Sequence, residues 1–146
     1  MPSTDINDCI PELQDAWIEI LKSYTSKWPA LTLTITCTHR TPEEQFILFK
    51  EGREQDYNGA WSIVDSSKVV TYIDGQKSLS AHNFYPARAL DVVVTRIATG
   101  QQIWDESYYK DLILICESVE MESGGSWSGF KDWPHIQIPN FRQYNS

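Results

Sequence analysis

The chain has 146 residues, with 12 Lys plus Arg against 20 Asp plus Glu, for a formal charge of −8. Apolar residues make up 41 % and charged residues 22 %, the composition of one soluble globular domain long enough to bury a core without a disulfide scaffold. The acidic balance argues against nucleic-acid binding, and the lack of an apolar stretch of about 18 residues excludes a transmembrane helix or membrane anchor of that kind.

The opening MPSTDINDCIPEL lacks the basic start and apolar run of a signal peptide, so synthesis in the cytoplasm is expected. The three cysteines, Cys9, Cys37 and Cys116, form no CxxC pair and read as small buried hydrophobes. The first predicted element is a helix over about 11–27. Leu13, Trp17, Ile20, Leu21 and Tyr24 make one apolar face, Pro11 suits the first turn and Pro29 stops the pattern. Residues 31–38 alternate strictly and predict a strand, with Leu31, Leu33, Ile35 and Cys37 on one face and four threonines on the other. Thr41-Pro42-Glu43-Glu44 is a capping box that starts a helix running to about Lys50, with Gly52 closing it.

Residues 53–80 carry few periodic signals and one short strand candidate at 68–73; so long an irregular connection is usually functional. Residues 91–97 read as a buried strand. Residues 105–122 read as a helix ended by Gly124-Gly125, with Leu112, Ile115, Cys116 and Val119 facing inward, and 135–138 read as a last short strand. Three helices and about three strong strands in mixed order predict an α+β fold of a single domain.

Chemistry concentrates on few residues. The histidines are His39, His82 and His135, and histidine is the commonest metal ligand. Asp91 opens a buried strand, where an unpaired carboxylate is costly. If the strands carrying Asp91 and His135 are neighbours, the two sit side by side at one sheet edge, and a loop can bring His82 over them. Two His and one carboxylate leave a fourth zinc position open, the pattern of a catalytic site. Asp132, three residues before His135 in Asp-Trp-Pro-His, is placed to act as general base without binding the metal. Arg40, between a strand end and a helix start, is the electrophilic candidate. Each also has an ordinary reading: His82 as a loop histidine, His135 as a satisfied core histidine and Asp132 as a turn cap. Asp91 can equally pair with Arg88 or Arg96, and Trp127 and Trp133 can belong to the core.

The wording of the segments then favours the metal. Ser80-Ala-His82-Asn-Phe-Tyr-Pro-Ala87-Arg-Ala89-Leu-Asp91 resembles the S-x-H…A-x-D motif of the zinc D-Ala-D-Ala carboxypeptidase and L-alanyl-D-glutamate peptidase family. Gly124-Gly125-Ser-Trp127-Ser-Gly-Phe130-Lys-Asp132-Trp133-Pro-His135 looks like that family's G-G-x-W…D-W-P-H motif, most like phage endolysin L-alanyl-D-glutamate peptidases. Thr38-His39-Arg40-Thr-Pro-Glu-Glu-Gln45 is similar to the upstream segment, so the resemblance spans about 38–137. The step from His82 to Asp91 is nine residues, where many members have seven, and its His82-Asn-Phe-Tyr-Pro-Ala87 wording resembles a phage-like subgroup.

The resemblance implies zinc on His82, Asp91 and His135, Asp132 as catalytic base and Arg40 as a substrate or transition-state contact. Ser80 and Gln45 are weaker substrate-binding candidates, and His39 is not a ligand. It implies a central antiparallel sheet flanked by helices, with the zinc in a cleft at the sheet. The expected activity is hydrolysis of peptidoglycan stem peptides by a monomer with no separate wall-binding domain, released to the wall through a separate membrane-permeabilising protein. Two alternatives stand beside the endopeptidase: a D,D-carboxypeptidase, and a non-catalytic wall-binding module on the same fold.

Overall fold

The structure is a computed structural model that describes residues 1–129 and 131–144; Phe130 of the last motif lies outside the described residues. Its elements are α1 (Pro11–Lys27), β1 (Leu31–Cys37), α2 (Pro42–Phe49), β2 (Arg53–Gln55), β3 (Trp61–Ile63), β4 (Ala89–Arg96), β5 (Gln102–Ile103), α3 (Lys110–Ser118), β6 (Glu122–Ser123) and β7 (His135–Gln137). The main sheet is antiparallel in the order β1-β4-β7-β6, with β5 also paired to β4, while β2 and β3 form a separate hairpin. This is a small α+β fold built on a central antiparallel sheet.

The sheet's two faces have different roles, and the side-chain period of two in a strand separates them. Leu90, Val92 and Val94 of β4, Leu31 and Leu33 of β1 and Ile136 of β7 join Leu13, Ile20, Tyr24, Leu112 and Cys116 from α1 and α3 in one core. Their neighbours in the strands face the other way: Thr36, Asp91, His135 and Gln137 line a cleft of about 590 Å³. Helices α1 and α3 thus cover one face and the cleft opens on the other, where Leu48 of α2 joins its lining.

Three expectations need correction. The strict alternation of β1 fails at its end, because the register with β4 shifts between Ile35 and Cys37, pairing Ile35 with Val92 and Cys37 with Asp91. That bulge turns Cys37 away from the Leu31 and Leu33 face, toward His82 and Arg40. The helix expected over 105–122 is shorter. Asp105 caps a 3-10 turn at Glu106–Tyr108, α3 follows, and Glu120 at φ 61 closes it four residues before Gly124. The close is a Schellman motif, with Met121 N–H donating to Cys116 O at 2.8 Å and Glu120 N–H to Glu117 O at 3.1 Å.

The strand expected at 68–73 is not one either. The carbonyls of Thr71 and Ile73 accept from the Arg53 guanidinium (2.9 Å) and the Gln45 amide (3.0 Å), so side chains replace a ladder. The hairpin β2–β3 and the two-residue strands β5 and β6 are too short to print a period in the sequence. Among the described residues no helix is long and apolar enough to cross a membrane.

Candidate functional site

The antiparallel register makes Asp91 of β4 and His135 of β7 direct cross-strand partners. Both strands are interior to the sheet, so the pair lies within it rather than at an edge. His82 reaches them from a 3-10 turn, Ala81–Asn83, whose cap is Ser80: its hydroxyl accepts from His82 N–H at 3.1 Å, and Asn83 Oδ1 accepts from Ser80 N–H at 2.8 Å. The backbone of the turn is held by Arg40, whose N–H donates to His82 O at 2.9 Å.

Two ring nitrogens face one carboxylate oxygen. Asp91 Oδ1 is 3.2 Å from His82 Nε2 and 3.1 Å from His135 Nδ1. The far nitrogen of each ring already faces an acceptor: His82 Nδ1 donates to Thr38 O at 2.6 Å, and His135 Nε2 donates to Gln137 Oε1 at 2.7 Å. In the neutral rings, therefore, the two nitrogens facing Asp91 carry lone pairs, and both point at the same carboxylate oxygen. Burial would push the His82 pKa down, but the facing Asp91 carboxylate pushes it up to about 10. Burial would likewise push the Asp91 carboxyl up, and the His82 and His135 rings instead hold it well below the usual carboxylate range. The site has a strong affinity for positive charge.

The donor set fits zinc. Bonds of about 2.0–2.1 Å in a tetrahedral site put neighbouring ligand atoms about 3.3 Å apart, close to the two spacings found here. The outward hydrogen bonds to Thr38 O and Gln137 fix ring orientation as outer partners of metal-binding histidines usually do. Two groups of three candidate ligand atoms lie within 4.8 Å of one another, Cys37–His82–Asp91 and Asp91–Asp132–His135; Asp91 is common to both, and His82 and His135 fall in different groups. Cys37 is the poorer partner. Its sulfur approaches His82 from the Nδ1 side at 3.8 Å and lies 3.5 Å from Arg40 Nη2, a cation that a metal there would have to oppose.

Asp132 sits on the same cleft, and its pKa is raised, first by burial and then by the Asp91 charge. Its placement depends on Gly124 and Gly125. A Cβ on Gly124 would overlap the Asp132 carbonyl oxygen, and one on Gly125 would lie 2.6 Å from the Trp133 ring. Asp132 N–H donates to Gly124 O at 3.1 Å, and His135 N–H to Asp132 O at 3.1 Å, so the glycines and the Asp-Trp-Pro-His segment lock together.

Arg40 points at Asp91, with Nη2 3.6 Å from Oδ2, and donates through Nη1 to Gln45 Oε1 at 2.8 Å. Gln45 is 1 % exposed, spends its amide on Thr71 and Ile73, and does not line the cleft. It positions Arg40 rather than facing a substrate. Ser80 does line the cleft, but its hydroxyl serves the turn that carries His82. Asp91 pairs with neither Arg88 nor Arg96. The His39 ring packs edge-on against Tyr85 at 5.1 Å.

Two participants escape sequence reading. Gln137, which accepts from His135, donates its amide to Glu122 Oε2 at 2.8 Å, and Trp127 Nε1 donates to the same oxygen at 3.1 Å. The Trp127 ring lies 5.1 Å from His135. Glu122 and Gln137 are cross-strand partners on β6 and β7. Only that register makes them visible; as single polar residues they carry no signal.

No protein-family model matches the chain. It is 31 % identical over 120 residues to the peptidoglycan L-alanyl-D-glutamate endopeptidase CwlK of Bacillus subtilis (strain 168), a match covering 75 % of this chain and 63 % of that one. The chain therefore spans less than two thirds of that relative's length. Its fold matches the crystal structure of the Serratia marcescens L-Ala D-Glu endopeptidase ChiX with a TM-score of 0.58 at 18 % identity, over 97 % of this chain and 92 % of that one. The chain is thus similar in sequence, over 120 residues, to one L-alanyl-D-glutamate endopeptidase and shares its fold with another.

Proposed function

We propose that the chain is a zinc-dependent endopeptidase that cuts the L-alanyl-D-glutamate bond of peptidoglycan stem peptides. The observation that carries this reading is that His82 Nε2 and His135 Nδ1 both face Asp91 Oδ1, with Asp132 on the same cleft. Kinship with a peptidase of that specificity supports the choice of substrate.

His82, Asp91 and His135 would hold the ion, and zinc bound there supplies Lewis-acid polarisation of the scissile carbonyl and of the attacking water. Asp132 takes the proton from that water and delivers it to the leaving amine; its raised pKa brings it closer to the working pH, as a group that must both accept and return a proton requires. Arg40 holds the Asp91 carboxylate from behind and adds positive potential where negative charge develops on the carbonyl oxygen. Thr36 and the segment 70–73 form walls of the cleft. The resemblance of the G-G-x-W…D-W-P-H wording to phage enzymes supports a lytic, endolysin-type role.

Mass spectrometry of the products from purified cell wall tests the reading. The expected product is a new D-glutamate amino terminus that disappears with a chelator and returns with zinc. Release of free D-alanine alone would assign a carboxypeptidase, and binding without cleavage a non-catalytic module.

A further inference from the structure

Two guanidinium groups line the cleft, those of Arg40 and Arg142, and their situations are opposite. Arg40 is committed, with Asp91 and Gln45 as partners and a side chain 13 % exposed. Arg142 is exposed, and among the described residues no carboxylate lies within 4.0 Å of it. In a chain with 20 acidic and 12 basic residues, a cleft cation without an acidic partner is conspicuous.

Arg142 is also held in place. Its Nη2 donates to Ser78 Oγ at 3.1 Å, and its guanidinium carbon lies 4.7 Å from the centre of the Phe141 ring. The peptide just before it is anchored by Arg88, whose Nη1 donates to Phe141 O while its guanidinium stacks on Phe84 at 3.9 Å. A planar donor fork fixed in this way recognises a carboxylate well, because little freedom is lost on binding.

We infer that Arg142 receives the free carboxylate of the D-glutamyl residue, and so sets specificity for a glutamate beside the scissile bond. The inference rests on the function proposed above. Whichever carboxyl of that residue continues the peptide, the other stays anionic. Asp91, Asp132 and Glu122 on the cleft lining offset the zinc ion and Arg40, so the centre has no spare positive charge for a substrate anion that must lie beside it. A cation elsewhere on the wall resolves that conflict.

The test uses the zinc-loaded full chain and two peptides identical except that the free glutamyl carboxylate of one is a carboxamide in the other. The wild type should prefer the carboxylate peptide by about 10- to 100-fold in kcat/KM, mostly through KM. Arg142→Ala should bring the ratio close to one, and Arg142→Lys should restore part of it, with zinc content and melting temperature held. A ratio unchanged in Arg142→Ala, or a wild type with no preference, would overturn the assignment while leaving the endopeptidase reading intact. A wild type that cuts neither peptide overturns both.

Discussion

Gly124→Ala is the sharpest probe of how the fold places Asp132, because it alters no chemical group of the site. The added Cβ would overlap the Asp132 carbonyl oxygen and come within 3.0 Å of the carbonyl carbon and 3.1 Å of Asp132 Cβ. Restoring ordinary contact requires the Asp132 backbone to retreat by roughly 1 Å. A misplacement of that size in a proton-transferring group costs on the order of 100-fold in rate, about 2.7 kcal/mol of barrier. Overpacking of this kind also costs about 1–3 kcal/mol of stability, a fall of roughly 2–12 °C in Tm at this chain length.

The assay is kcat/KM on a defined L-alanyl-D-glutamate peptide, beside zinc content and a thermal melt. Gly100→Ala is the control. Gly100 is at φ 72 with nothing within 4 Å of its Cβ position, so alanine there suffers backbone strain alone. That variant should lose about 1–2 kcal/mol of stability and keep its activity. Wild-type activity and Tm in Gly124→Ala, or an equal activity loss in Gly100→Ala, would refute the reasoning.

Other predictions concern single contacts. Glu120 fills the left-handed position of a Schellman close at φ 61, where glycine is unstrained, so Glu120→Gly should raise stability by about 1 kcal/mol, and an unchanged melt would count against it. Gln137→Leu strands the buried His135 N–H and should weaken zinc binding about 10- to 100-fold in a chelator competition; an unchanged affinity would count against that role. Burial would raise the Asp111 pKa, but Lys27 and the Trp28 N–H outweigh it and hold the carboxyl below its ordinary value. A depressed pKa means the contribution is complete above about pH 4–5 and is lost as pH falls through the folded value. Asp111→Asn should therefore cost stability at neutral pH with a gap to wild type that closes in acid; a gap that widens there would contradict the sign.

Much of the site can be read from the sequence because a few positions violate their surroundings. Asp91 stands between Leu90 and the apolar run of Val92, Val93 and Val94, and His135 begins another strand, so both demand an explanation before any fold is known. The Thr41 capping box is equally local: Thr41 Oγ1 accepts from Glu44 N–H at 3.1 Å, and Glu44 returns to Thr41 N–H at 2.9 Å. What stays hidden depends on register or backbone conformation. The bulge that swings Cys37 toward His82 follows from how β1 meets β4, which no period in β1 announces. Glu120 ends α3 without the glycine that normally marks such a position, so the apolar pattern reads on to 122. Gln45 shows the same limit from the other side: the family resemblance offers it to a substrate, but Thr71 and Ile73, far along the chain, take up its amide.

The central claim is that His82, Asp91 and His135 hold one zinc ion, and anomalous diffraction at the zinc edge tests it most directly. Crystals of the zinc-loaded protein should show one peak about 2.0–2.2 Å from each of His82 Nε2, Asp91 Oδ1 and His135 Nδ1. A peak bonded to Cys37, or an active protein with no peak between these three residues, would contradict it.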